Sequence, residues 1–134
     1  MSHMNTFEKF QEELKNDLEI DDLTLHDVQM KLPAVKHKWV ARLIQLKFQR
    51  EKLEQSKSEL LNNIVTQLKE QEVVKLSERS LYTSANKHEK IVNISNQIKE
   101  LDLLILYLEK IEKVCSQTTF DVKNIIDIKK LELT

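Results

Sequence analysis

The chain of 134 residues contains no glycine, and its one proline is Pro33. Glycine supplies the positive backbone angles of tight hairpins and the close backbone approach of phosphate-cradling loops. Its absence therefore excludes the P-loop, the dinucleotide-binding fingerprint and the nucleophile elbow, each of which is written around glycine. It also disfavours compact sheet folds, which turn often. What remains is an all-α chain of few, long helices, and a 32% charged, 40% hydrophobic composition suits such helices. The expected architecture is an elongated protomer of antiparallel long helices of coiled-coil type, with a short C-terminal helix.

Apolar periodicity places the elements. Residues 1–4 read as a cloning scar, and residues 5–134 as a single helical domain. Phe7, Phe10, Leu14 and Leu18 share one side of a first helix capped by Thr6. Thr24 with Asp27 resembles a capping box opening a short second helix. Pro33 either ends that helix at Leu32 or sits in the first turn of the next. From Pro33 to about Gln71 nothing breaks the pattern, which predicts a helix about 58 Å long at 1.5 Å per residue. Its seam carries Trp39, Leu43, Leu46, Leu53, Leu60 and Ile64, with Arg50 and Lys57 at two seam positions. Glu70 to Ser80 reads as a turn, and a second long helix as starting near Ser84 and ending near Cys115. Its heptad is Ile91, Ile94, Ile98, Leu101, Ile105 and Leu108. Ser116 to Thr119 reads as a polar link before a last amphipathic segment.

Two stretches are apolar beyond one face. Leu101 to Leu108 is hydrophobic nearly all round and calls for burial on all sides by other subunits. Leu101, Leu104, Ile105, Leu108, Phe120, Val122, Ile125, Ile126, Ile128 and Leu131 are accordingly the candidate self-association residues, and residues 84–134 the oligomerisation part.

The net charge of −1 hides a partition. Thr6 to Asp27 holds eight acidic and two basic residues, whereas Val28 to Arg50 holds six basic and no acidic ones. Lys31, Lys38, Arg42 and Lys52 fall on one face of the predicted helix, with Gln45 and Gln49 between them and Trp39 and Phe48 to the sides. An acid-free cationic stripe can track a phosphodiester backbone, and flanking aromatics can stack bases. Lys36, Lys47, Arg50 and Lys57 complete the candidate nucleic-acid set, all of it within residues 5–71. The plainer reading is a solvated face that balances the acidic N-terminal helix, and Trp39 as a core anchor.

No enzyme is legible. His26, His37 and His88 show no metal-ligand spacing, so no metal or other cofactor is expected. Cys115 is alone, which excludes an intrachain disulfide and suits a reducing compartment. No signal peptide is visible, and no apolar run is long enough to span a bilayer.

Four stretches carry a resemblance. They are Gln11-Glu12-Glu13-Leu14-Lys15-Asn16-Asp17 with Ile20-Asp21, then Lys38-Trp39, then Asp102 to Cys115 with Tyr107 inside it, and finally Phe120, Lys123, Ile125 and Asp127. In order and spacing the chain resembles the UvsY-type recombination mediators of T-even-like bacteriophages. The resemblance implies a ring-like homo-oligomer of six or seven subunits, assembled through its C-terminal helical region. It implies binding of single-stranded DNA and loading of a RecA-like recombinase onto strands covered by single-strand-binding protein, in recombination-dependent replication and repair. The host bacterial cytoplasm is the compartment it implies. Lys38, Arg42 and Lys52 match family positions that are also basic. One departure is plain: the family's basic Leu-Lys-Ala-Arg-Leu stretch falls on Leu61-Asn62-Asn63-Ile64-Val65, which carries no charge. The alternative function is a coiled-coil scaffold that binds only proteins.

Overall fold

The computed structural model describes residues 3–21, 25–71 and 77–133. These form four helices: α1 (His3–Asp17), α2 (Leu25–Gln71), α3 (Glu78–Asn86) and α4 (Glu89–Glu132). No strand occurs among the described residues, so the all-α expectation holds. Two compact units are distinguished: Met1–Leu46 with Leu104–Thr134, and Lys47–Leu103.

In the first unit the N-terminal part of α2 runs antiparallel to the C-terminal part of α4. Leu25, Val28 and Leu32 pack with Val122 and Ile126, and Leu18 leans on that cluster. One helical stretch further along, Lys36 Nζ donates to Ser116 Oγ at 3.2 Å. In the second unit the C-terminal part of α2 meets α3 and the start of α4, where Ile64, Val65, Leu81, Ala85 and Ile91 form the core beside Leu60, Leu61 and Leu68. The predicted seams are legible in the burial. Trp39, Leu43, Leu46 and Ile64 are buried on α2, and Ile91, Ile98, Leu101, Ile105 and Leu108 on α4.

Several boundaries differ from expectation. Thr6 caps nothing, because α1 already begins at His3 and includes Met4, so the helix enters the stretch read as a scar. Thr24, the expected cap, lies outside the described residues. Pro33 neither ends nor starts a helix; α2 passes through it. An interior proline costs about 3 kcal/mol. Burying Leu25, Val28 and Leu32 upstream of it offsets this at about 1.5–3 kcal/mol each. Pro33 itself faces solvent, where water can reach the carbonyl it leaves unbonded.

The helix expected from Ser84 is preceded by α3. Ser77 is its N-cap, its hydroxyl accepting from Ser80 N at 3.2 Å. The break between α3 and α4 is made without glycine or positive φ. Asn86 Nδ2 donates to Tyr82 O at 2.8 Å, Lys87 stays in the right-handed region, and His88 Nδ1 accepts from Lys90 N at 3.2 Å to open α4. The link at Ser116–Thr119 is helical, so the last segment continues α4 and is not a separate short helix. Cys115 and Val122, both fully buried, keep the same face inward across it. Thr119 Oγ1 donates back to Cys115 O at 2.9 Å within the helix.

Candidate nucleic-acid interface

All eight candidate cations lie on α2, four in each unit. In the first unit Lys31 and Lys36 are exposed, and Lys36 reaches Ser116 of α4. Lys38 and Arg42, one helical turn apart, face α1. Lys38 Nζ lies 2.6 Å from Asp17 Oδ2 and 3.4 Å from Glu13 Oε1. Arg42 forks onto Glu13, with one guanidinium nitrogen bonded to Oε2 and the other 3.0 Å from Oε1. The two acids are also one turn apart, so two carboxylates of α1 meet two cations of α2.

The electrostatics follow this geometry. The hydrogen bond from Arg42 holds the Glu13 carboxyl below its ordinary range, against a smaller opposing effect of burial. The same bond raises the Arg42 guanidinium. Both ions are therefore fully charged near neutral pH. The side chains of Lys38 and Arg42 are about one-third exposed, so water and a polyanion can still approach them.

Trp39 is a core anchor and no stacking platform, being 1% exposed. Its Nε1 donates to Asp17 Oδ2 at 3.1 Å. The edge of Phe10 meets its ring at 5.4 Å and 89°, and the Arg42 guanidinium lies 4.9 Å from the ring centre. Phe7 of α1 packs edge-on against Tyr107 of α4, 4.8 Å between centroids.

In the second unit Lys47 and Lys52 are exposed and Lys57 is half-buried. Arg50 bonds Asp102 of α4, and Glu54 follows one turn along α2 at 3.4 Å. The bond to Asp102 raises its guanidinium further. Arg50 thus pins two helices at a seam position and does not open inward. Phe48 is 65% exposed and is the aromatic of the α2 set that can meet a base.

Leu101, Leu104, Ile105, Leu108, Val122 and Ile126 are buried within the chain itself. Of these six candidate self-association residues, Val122 and Ile126 pack against Leu25, Val28 and Leu32 of α2. Phe120, Ile125, Ile128 and Leu131 point outward, with Phe120 60% and Leu131 74% exposed. Leu106 and Val114 are exposed on the same part of α4. Sequence reading missed a second apolar face, on α2 of the first unit. There Met30, His37, Ala41 and Ile44 are exposed and recur at intervals of seven, four and three. That spacing is visible in the sequence but is overshadowed by the adjoining cations.

The Cys115 thiol is pushed up mainly by burial, which removes it from nucleophilic chemistry. Among the described residues no group of histidine, cysteine or carboxylate side chains is placed to hold a metal ion. No described helix is long and apolar enough to cross a membrane.

A family model described as "Recombination, repair and ssDNA binding protein UvsY" matches residues 13–133. Crystal structures of the bacteriophage T4 recombination mediator protein UvsY share the fold. One, of lattice type IV, aligns at a TM-score of 0.81 with 18% identity over 93% of this chain and 97% of that one. A second, of lattice type II, aligns at 0.77 with 18% identity over 95% of this chain and 97% of that one. No curated protein gives a significant match to the sequence.

Proposed function

Because the chain belongs to the UvsY family of recombination, repair and ssDNA-binding proteins, we propose that it is a non-catalytic recombination mediator that binds single-stranded DNA through the basic face of α2. The observation that carries this reading is the acid-free stretch from Val28 to Arg50. It puts Lys31, Lys36, Lys38 and Arg42 on one unit and Lys47 and Arg50 on the other, with Lys52 and Lys57 beyond them. The proposed contacts are to phosphates, which position a strand without reading its sequence. Lys52 and Lys57 have no ion-pair partner among the described residues. In a chain whose Leu61–Val65 stretch carries no charge, they and the stripe take over strand binding.

Assembly supplies the rest of the affinity. The outward apolar side chains of α4, Phe120, Ile125, Ile128 and Leu131, are the proposed self-association surface. Head-to-tail association through it closes into a ring or runs on as a filament. A homo-oligomeric ring of six or seven subunits is proposed. It repeats the stripe, so that weak contacts add by avidity. Holding the strand this way would loosen single-strand-binding protein and present the strand to a RecA-like recombinase in the host cytoplasm.

The test is filament assembly by a phage RecA-like recombinase on a strand pre-covered by single-strand-binding protein. Addition of this protein shortens the lag before assembly, and no change in lag counts against the reading. The second reading, a scaffold that binds only proteins, draws on the intrachain pairing of Lys38 and Arg42 with Glu13 and Asp17. It predicts no binding to an oligo-dT strand at any salt concentration.

A further inference from the structure

We propose that α1 is a displaceable acidic cover on the strand-binding face, its Glu13 and Asp17 carboxylates occupying the positions that DNA phosphates take on Lys38 and Arg42. The inference rests on the reading of that face as a single-stranded DNA site.

Three observations in the first unit carry it. The ligands are chemically equivalent. Arg42 forks onto two carboxylate oxygens of Glu13, and Lys38 is shared between Glu13 and Asp17. A guanidinium fork and an ammonium take two phosphate oxygens in the same way. The cover is also lightly attached. α1 has no buried residue. It is held by these part-exposed ion pairs, the Trp39 indole N–H on Asp17, Phe10 packed edge-to-face with Trp39, the Arg42 guanidinium 5.4 Å from the Phe10 ring centre, and Phe7 against Tyr107 of α4. Ion pairs exposed to this degree stabilise weakly and are screened by salt. Finally, the charge is one-sided: α1 brings Glu13 and Asp17 onto Lys38 and Arg42, and the sequence of α2 on either side of those two cations is free of acid from Val28 to Arg50. A strand approaching that face is repelled by α1 until the helix moves, and attracted by the cations it uncovers.

Displacement gives up these ring contacts and a hydrogen bond to a buried side chain. The Trp39 indole N–H loses Asp17 and must find water or a phosphate oxygen. By linkage, a strand that loosens α1 binds more tightly when α1 is loosened by other means.

The experiment is fluorescence titration of an oligo-dT strand with four full-length proteins: the parent, Glu13→Gln with Asp17→Asn, Glu8→Gln with Glu12→Gln, and Lys38→Ala with Arg42→Ala. The Asp17→Asn change keeps an acceptor oxygen for Trp39. Glu8 and Glu12 are exposed acids of α1, so their variant makes the same charge change away from the ion pairs. The cover predicts that the Glu13/Asp17 variant binds about tenfold tighter, a change of about 1.4 kcal/mol, while the Glu8/Glu12 variant gains much less. Hydrogen exchange on the parent protein gives a readout independent of any substitution: amides of α1 lose protection when oligo-dT is added. Equal gains in the two acidic variants, or α1 protection unchanged by DNA, overturn the cover. If Lys38→Ala with Arg42→Ala weakens binding while Glu13→Gln with Asp17→Asn leaves it unchanged, the strand-binding face stands and the cover falls. If neither pair changes affinity, the strand-binding face itself is wrong.

Discussion

The Trp39 indole, 1% exposed, donates its only polar hydrogen to the Asp17 carboxylate at 3.1 Å. A buried indole N–H needs an acceptor, and here the partner comes from a helix with no buried residue of its own. Asp17 thus serves both Trp39 and Lys38. Asp17→Ala leaves the indole unpaired and is expected to lower stability by about 1–3 kcal/mol. Asp17→Asn, which keeps an acceptor, is expected to cost clearly less. Urea unfolding midpoints followed by tryptophan fluorescence check both, and equal losses would show that the indole bond contributes nothing.

Glu13 gives the pH dependence. Its carboxyl is depressed in the folded chain, first by the Arg42 hydrogen bond. A depressed folded-state value means that the contribution is present above the ordinary carboxylate range. It is lost as pH falls through that range to the folded value. Acid should therefore loosen α1 before it unfolds the buried seams. Hydrogen exchange of α1 measured down to acidic pH checks this. Glu13→Gln should remove the acid step and leave α1 less protected at neutral pH.

Ile125 and Ile126 are neighbours with opposite fates. Ile126 sits in the cluster with Leu25, Val28, Leu32 and Val122, whereas Ile125 is partly exposed on the outward side of α4. Ile126→Asp buries an unpaired charge and should destabilise the fold by about 3 kcal/mol or more. Ile125→Asp should leave the melting temperature nearly unchanged and instead lower the assembly state. Thermal unfolding with sedimentation velocity separates the two. Loss of fold in both would mean that the outward face is part of the monomer core.

Pro33 lies inside α2 with its ring exposed. Pro33→Ala restores a backbone donor and removes the clash with the preceding turn, and should stabilise by about 1–3 kcal/mol. Unchanged or reduced stability in a urea titration would show that the proline is accommodated without strain.

Much of the fold was legible because long seams leave a periodic trace. Trp39, Leu43, Leu46 and Ile64 on α2, and Ile98, Leu101 and Leu108 on α4, are buried where helical spacing puts them. The misplaced boundaries share a cause: local signals were overruled by packing between distant segments. Leu25, Val28 and Leu32 hold α2 helical across Pro33 because Val122 and Ile126 are there to receive them. Cys115 and Val122 carry α4 through four polar residues in the same way. The site was half legible. The acidic and basic blocks are plain in the sequence, but no pattern within α2 could tell that Glu13 and Asp17 would come to rest on Lys38 and Arg42. That pairing depends on where α1 folds back.

The central claim is that a defined face of α2 grips single-stranded DNA, and salt-dependent titration of oligo-dT tests it most directly. Lys38→Ala with Arg42→Ala is compared with Lys110→Ala and Lys113→Ala, an equal charge change on exposed positions of α4. The first pair should weaken binding to any strand sequence and flatten the logarithmic salt slope by up to about 1.4, at about 0.7 for each phosphate no longer neutralised. The second pair should leave both nearly as they were. Equal losses of affinity and slope in the two variants would contradict the account, because only diffuse charge, and no particular face, would then be holding the strand.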